Sequence, residues 1–426
     1  MGQVDYAIEA DYFSRGYGRS VSSDEVSLLH HVRLTGLMPG MTYHYQVTAG
    51  VNVTGDHSFR TFPPESGSFD FIVYGDSQEQ LPTFTQLERH KLVADRIAEE
   101  ETDVTFVLHV GDTVGDPENP EEWNRFFAAG GGAMLANTTI YPITGNHEEI
   151  DDGVTYYEAF DMPPWYSFDC GDAHFTMLDS SDISGSRMTE QTAWLRNDLA
   201  SNTDPPWKFA AFHHPPYSSG TRHPGGWLNF RDLWGGPVFE ENDVNAVFNG
   251  HVHSYQRYLV NGIQYVVAAT GGGPMYTLTE EKATGYQNSL ENTLGYTRVH
   301  LDAENETVLM EFMPVAEISD DNKEVLSIYP RGSVFESVVV ELSRTPDLVP
   351  EEFILPAQVF AGENNTIGLS VANRGSEVSD AFTLSLSAEG TEIGVTEVGS
   401  LEPGAATEVN FVWRPASAST YELTAW

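Results

Sequence analysis

Five apolar, β-rich runs in this chain each stop at a side chain that can bind a metal ion. Residues 69–74 stop at Gly75-Asp76, residues 104–110 at Gly111-Asp112, and residues 139–143 at Gly145-Asn146-His147-Glu148. Residues 209–212 stop at His213-His214, and residues 244–248 at Gly250-His251-Val252-His253. One such ending means little. Five in order place carboxylate, amide and imidazole groups along one sheet edge, where open α/β sheets bind ligands.

A pair of cations about 3.5–4 Å apart needs a shared anionic oxygen donor and several further ligands. Asp112 suits the bridge, since a carboxylate offers two oxygens. Asp76 and His253 would complete the first cation's protein ligands, and Asn146, His213 and His251 the second's. On the residues alone, either His213 or His214 suits. A mixed oxygen and nitrogen set without thiolate fits iron, manganese or zinc rather than a closed structural zinc. A water between two such cations loses a proton near neutral pH and becomes a strong nucleophile. Each residue also has an ordinary reading: Asp76 and Asp112 as strand-end turns, Asn146 as a turn asparagine, His251 and His253 as surface histidines. The ordinary readings must all hold at once; the metal reading explains them together.

The ordered blocks GD, GD, GNHE, HHPPY and GHVHSYQR resemble the calcineurin-type metallophosphoesterases, most of all their purple acid phosphatase branch. The resemblance runs from about Phe69 to about Met313. Upstream, residues 30–37, Pro39-Gly40 and Thr42-Tyr43-His44-Tyr45 resemble the last strands of that branch's fibronectin type III domain. The resemblance implies a four-layer α/β/β/α core, two metal ions, and hydrolysis of phosphate monoesters by in-line attack of a metal-held hydroxide. The family pattern H-x-P-x-Y puts the ligand first, which selects His213. His147 matches a histidine that contacts substrate phosphate and protonates the leaving group. His223 falls where plant-like members carry another such histidine. Asp112, His147 and His223 are therefore the expected catalytic residues. Arg222 and Arg257 are candidates to meet phosphate charge, and Tyr217, Trp227 and Tyr255 to line the cleft.

The chain departs from that pattern at the first cation. The purple members carry a tyrosine three residues after the bridging aspartate; Gly115 stands here. Other members carry a histidine two residues after the first aspartate; Gln78 stands here. Asp76, Asp112 and His253 remain as the ligands, joined by Gln78 or water. Without a tyrosinate, no tyrosinate-to-iron(III) colour is expected.

The 426 residues suffice for two or three domains. Formal charge is −42, from 63 acidic against 21 basic residues, and Lys91, Lys208, Lys282 and Lys323 are the only lysines. Such a charge repels nucleic acid and anionic membranes, and it leaves attraction of a phosphate substrate to the metals. Spread along the chain, it suggests salt adaptation, since self-repulsion at low ionic strength opposes the compact state. Cys170 is the single cysteine, which excludes an internal disulfide, and it reads as a buried structural thiol. No apolar run reaches membrane-spanning length. His44, His57, His109 and His174 read as structural or exposed.

Three domains are expected: 1–64 antiparallel strands, 67–344 the catalytic domain, and 345–426 an immunoglobulin-like sandwich. Residues 26–34 and 42–47 alternate as strands about the turn Met38-Pro39-Gly40, and Pro63-Pro64-Glu65-Ser66-Gly67 reads as linker. In the catalytic part, Thr85 and Glu88 make a capping box for a crossover helix with His90, Val93 and Ile97 on one face. Glu99-Glu100-Glu101 should end that helix in solvent. A second helix is expected over about 189–199, with Trp194, Leu195 and Leu199 inward. Gly130-Gly131-Gly132 and Gly271-Gly272-Gly273 lack the P-loop lysine and read as loops, the second near the site. The last domain has strands near 365–371, 381–387 and 408–413, parted by turns at Asn373-Arg374-Gly375 and Glu402-Pro403-Gly404. It resembles the CARDB-type domains of exported bacterial and archaeal proteins. The fold class is thus α/β, flanked by two all-β sandwiches. The chain reads as a fragment of a longer exported protein, extracellular or at the cell surface, with surface contacts through the last sandwich. Two other functions share these features: a phosphodiesterase, nucleotidase or pyrophosphatase using the same site, and an adhesion protein whose core no longer turns over.

Overall fold

The computed structural model describes every residue except Met1, 24–28, 65–66, 152, 182–185, 203–204, 343–345, 347, 374–376 and Trp426. The chain forms two compact units, Met1–Glu341 and Leu342–Trp426. Glu65 and Ser66 of the expected linker, Thr345 at the expected boundary, and Arg374 and Gly375 of the expected turn lie outside the described residues.

The first unit holds two seven-stranded sheets. In one, Phe69–Tyr74, Phe106–His109 and Thr139–Pro142 run parallel. Thr293–Asp302 returns antiparallel beside Phe69–Tyr74, followed by Thr307–Ile318. In the other, Ala173–Met177, Trp207–Ala211, Ala246–Asn249 and Ile263–Ala268 run parallel. Antiparallel Tyr166–Cys170 closes one edge, and Tyr255–Val260 and Tyr286–Leu290 the other. Strands covered on both faces need no polar alternation; Phe106–His109, Trp207–Ala211 and Ala246–Asn249 are buried throughout.

Phenylalanines join the sheets. The Phe71 ring lies 5.2 Å from Phe175, 5.7 Å from Phe209 and 6.0 Å from Phe248, all edge-on. The next residues on Phe69–Tyr74, Ile72 and Tyr74, share the outer core with Val93 and Ile97 of helix His90–Glu100, because strand side chains alternate. On the far sheet, Leu195 and Leu199 of helix Ser186–Ser201 and Trp234 of the helical segment Arg231–Phe239 pack over Val247 and Val267. The order is α/β/β/α.

Three local expectations change. The capping box forms, with Glu88 Oε2 accepting from Thr85 N at 2.7 Å and Thr85 Oγ1 at 2.9 Å, yet the α-helix starts only at His90. Glu101 is not in solvent, because Tyr296 donates to it at 2.7 Å and Arg298 pairs with it. A helix, Pro120–Gly131, takes up Gly130 and Gly131; Asn119 caps it by accepting from Glu121 N at 3.1 Å.

Residues Gly2–Ile8, Arg19–Ser23, Thr42–Ala49, Asn52–Val53 and His57–Arg60 make one antiparallel sheet, with a short helix at Glu9–Arg15. Of the expected strand 26–34, residues 26–28 lie outside the described residues and 29–34 make no strand. This sheet rests on the catalytic part: Tyr45 donates to Ala136 O at 2.7 Å, and Phe62 stacks on Phe168 at 5.7 Å.

The second unit has two three-stranded sheets. Leu348–Ile354, Asn365–Asn373 and Ala406–Trp413 face Thr391–Val398, Phe382–Ala388 and Leu423–Ala425 across Ile367, Leu369, Leu384, Leu386 and Phe411. The turn at Pro403-Gly404 closes with Gly404 N on Asn373 O at 2.8 Å.

Candidate metal centre

The five expected blocks converge on one pair of clusters. Asp112, His213 and His251 each offer one ligand atom, all within 4.8 Å of one another, and so do Asp76, Asp112 and His253. Asp112 belongs to both. Its carboxylate oxygen Oδ2 lies 3.2 Å from His213 Nε2, and Asp76 Oδ1 lies 3.1 Å from His253 Nε2. Asn146 Oδ1 and His251 Nδ1 lie 3.2 and 3.1 Å from His213 Nε2.

The backbone makes this convergence possible. Asp76, Asp112 and His251 have φ of 58°, 52° and 67°, each just after a glycine. Such left-handed residues cost about 1–3 kcal/mol each and persist where the surroundings hold them. A side chain at Gly250 would place its Cβ 2.7 Å from both Asp76 Oδ2 and His213 Nδ1, so only glycine lets the last block approach. Gly271-Gly272-Gly273 lies behind the first cluster, Gly273 N donating to Asp76 O at 2.7 Å.

Hydrogen bonds set the imidazoles. His213 Nδ1 lies 2.8 Å from Val110 O and His253 Nδ1 2.6 Å from Pro274 O, so both donate there and turn Nε2 toward the clusters. Burial opposes charge on His213, but Asp112 outweighs it and pushes its pKa up to about 9. Burial likewise opposes the Asp112 charge, and His213 holds it well below the usual carboxylate range. His251 is driven far down by burial and by His213.

These residues fit a cation pair. Asp112 Oδ2, Asn146 Oδ1 and His251 Nδ1 all lie at hydrogen-bond distance from His213 Nε2, three acceptors around one position, so the arrangement calls for positive charge there, carried by the His213 proton or by a cation in its place. Asp76 Oδ2 and Gln78 Oε1 are buried without a hydrogen-bond partner, where an unpaired acceptor is costly. His214 stays outside both clusters and bonds Ser180 Oγ at 3.0 Å.

Around the clusters, His147 Nδ1 donates to Gly115 O at 2.7 Å and its Nε2 lies 3.9 Å from Asp112 Oδ2. Burial lowers the His147 pKa, the Asp112 charge raises it, and the net shift is upward. His223 Nε2 lies 3.4 Å from His251 Nε2, and Trp227 packs 4.4 Å from the His223 ring. Arg222 lies over Tyr276 at 4.4 Å, and Tyr276 stacks on His253 at 4.2 Å.

Other candidates sit elsewhere. Arg257 pairs with Glu336 at 2.6 Å. Tyr217 and Tyr255 are buried in packing, Tyr255 stacked on Phe312. Cys170 is buried, and burial pushes its thiol pKa far up. His109 is buried beside Ser77 Oγ at 3.1 Å, and His174 bonds Asp169 and Asp198. His44 bonds Asp56 at 2.8 Å, and His57 packs on Tyr45.

Glu148 has no role that its sequence position alone reveals. It is fully buried, and its two oxygens take the backbone N–H groups of Asp112, Thr113, Val114 and Gly145 at 2.7–3.2 Å. Tyr276 was also missed, because an isolated aromatic after a glycine loop carries no signal of its own.

The first unit has a mixed α/β metallophosphoesterase fold, with aspartate and histidine side chains clustered where two cations could be held. Residues 69–255 match the family model described as calcineurin-like phosphoesterase, and residues 345–426 match CARDB. Residues 69–255 thus form a calcineurin-like metallophosphoesterase domain and residues 345–426 a CARDB domain, and purple acid phosphatases are among the proteins the chain is similar to. Purple acid phosphatase 15 of Arabidopsis thaliana is 28% identical over 292 residues, 58% of this chain and 54% of that protein. Purple acid phosphatase 21 of the same plant is 30% identical over 271 residues, 58% and 56%. The chain thus spans about half the length of these relatives. A purple acid phosphatase from yellow lupin (Lupinus luteus) seeds has a similar fold, with TM-score 0.62 at 17% identity over 80% of this chain and 69% of that one. So does PhoD, with TM-score 0.60 at 16% identity over 80% and 83%.

Proposed function

We propose that the first unit hydrolyses phosphate esters at a two-cation centre and prefers monoesters. The observation that carries this is the sharing of Asp112 by both clusters, with His147 Nε2 3.9 Å from its carboxylate on the half-exposed side. Asp76, Asp112 and His253 would hold one cation, and Asn146, Asp112, His213 and His251 the other. Bound cations of the iron, zinc or manganese kind would supply Lewis acidity and lower the pKa of water at the centre. The chain's own groups supply the rest. His147, its Nδ1 tied to Gly115 O, presents Nε2 to the substrate side and is placed to give a proton to a leaving alkoxide. His223, packed on Trp227, and Arg222, packed over Tyr276, add donors beside the clusters. A monoester dianion has more charge for these donors to meet than a diester monoanion, which supports the monoester preference.

The test is hydrolysis of an aryl phosphate monoester beside its bis-aryl diester, with manganese, zinc or iron returned to chelator-treated protein. Metal-dependent monoester turnover well above diester turnover is expected. Diester preference would assign the site to phosphodiester or nucleotide chemistry. No turnover with any metal on folded protein would favour the adhesion function.

A further inference from the structure

We infer that Gln78 is a ligand of the first cation, through its amide oxygen. The inference rests on the two-cation reading above. Asp76, Asp112 and His253 make a cluster of three ligand atoms, whereas the other cluster has the amide of Asn146 beside its three. Gln78 is the corresponding amide on the first side. The residue is 3% exposed, and its head group reaches the cluster, with Nε2 3.3 Å from His253 Nε2 and 3.4 Å from Asp112 Oδ2.

An ordinary structural role would make Gln78 a donor that steadies those two side chains. Two details disfavour it. Both contacts are long for N–H donors, whose usual range ends near ~3.2 Å. The Gln78 carbonyl oxygen is also buried without a hydrogen-bond partner. The two ends of an amide are exchanged by a half-turn. That turn puts the oxygen where the donor now lies, between His253 and Asp112, and gives a cation a neutral oxygen ligand.

The neighbouring backbone explains why this side chain reaches in. Ser77 N donates to Asp112 O at 3.0 Å, fixing the loop that carries Gln78 beside the bridging residue. Gly115 stands next to it: a Cβ there would lie 3.9 Å from the Gln78 Cβ. Having no side chain, Gly115 leaves that flank of the cluster to Gln78.

Titration of the chelator-treated chain with manganese(II) tests this. Bound metal is counted by calorimetry and elemental analysis, and the coupled pair is followed by electron paramagnetic resonance. The wild-type chain should take two ions and show the coupled spectrum. Gln78→Leu should keep one, bind the other about 10-fold or more weakly, and lose the coupled spectrum. Gln78→Glu, which restores an oxygen at the same reach, should bind two at least as tightly as wild type; weaker binding overturns the assignment. So does a Gln78→Leu chain that binds two ions with wild-type affinity. If Gln78→Leu fails to fold, Gln78→Glu decides alone. A wild-type chain that binds fewer than two ions overturns the cation pair itself and this assignment with it.

Discussion

Glu148 holds Asp112 by its backbone: Oε2 accepts the Asp112 N–H at 3.0 Å while Oε1 takes Thr113 N at 2.7 Å. The same carboxylate takes Gly145 N at 2.7 Å, so one side chain ties the loop of Asp112 to the loop of Asn146. Burial and the Asp112 charge push its pKa up to about 7, while the amide donors draw it down. Glu148→Ala strands these buried donors. A stability loss on the order of 3 kcal/mol is expected from denaturant unfolding, with weaker metal binding. Unchanged unfolding and metal content would mean the loops are held by something else.

Asp112 is the residue both clusters share. Asp112→Ala should abolish phosphoester hydrolysis and reduce metal content at both positions, read by elemental analysis. Loss of one ion alone, or full retained activity, would remove the bridging role.

His147 bonds the Gly115 carbonyl and reaches toward Asp112 without entering either cluster. His147→Ala should lower turnover by about 100-fold or more while metal content stays at the wild-type level. The effect should be smaller on an aryl ester with a good leaving group, which needs less proton donation. Loss of metal instead would make His147 a ligand.

The five blocks were legible because each depends on a short stretch: an apolar run, a glycine, a ligand. Helix Ser186–Ser201 and the strands Asn365–Asn373, Phe382–Ala388 and Ala406–Trp413 were legible from short stretches in the same way, whereas Leu348–Ile354 and Thr391–Val398 were not. Helix Pro120–Gly131 was hidden although Asn119-Pro120 is a start signal, because its glycine-rich end suggested a loop. Helix Glu9–Arg15 is short and has no side-chain cap. The role of Glu148 depends on N–H groups from two loops that meet only in the fold. Gln78 stands in the sequence only as an alternative to water, and its place becomes clear in the fold, where it faces His253 from 175 positions away.

His174 links strand Ala173–Met177 to helix Ser186–Ser201. Its Nδ1 lies 2.7 Å from Asp169 and its Nε2 2.8 Å from Asp198, and its side chain is 2% exposed. Burial disfavours the imidazolium, but the hydrogen bonds to Asp198 and Asp169 outweigh it, and the net shift is upward. With a folded pKa above the unfolded value of about 6.5, the stabilisation is complete below that pH. It is lost as pH rises through the folded value. His174→Ala should therefore cost on the order of 3 kcal/mol near pH 6, and the gap to wild type should narrow as pH rises. A gap that stays constant or widens with pH would mean that the ring is held neutral.

The excess of 63 acidic over 21 basic residues acts on the folded state directly. Repulsion among like charges extends over about 10 Å at 0.1 M salt and about 3 Å at 1 M. Potassium chloride at molar concentration should therefore raise the melting temperature, most steeply over the first few tenths molar, where screening changes most. Sucrose at equal osmolality separates screening from solute exclusion, since it strengthens burial without carrying charge. Equal gains from both would assign the effect to exclusion. A chain as stable in dilute buffer as in molar salt would show that its carboxylates are spaced or hydrated well enough not to repel, which removes the argument for salt adaptation.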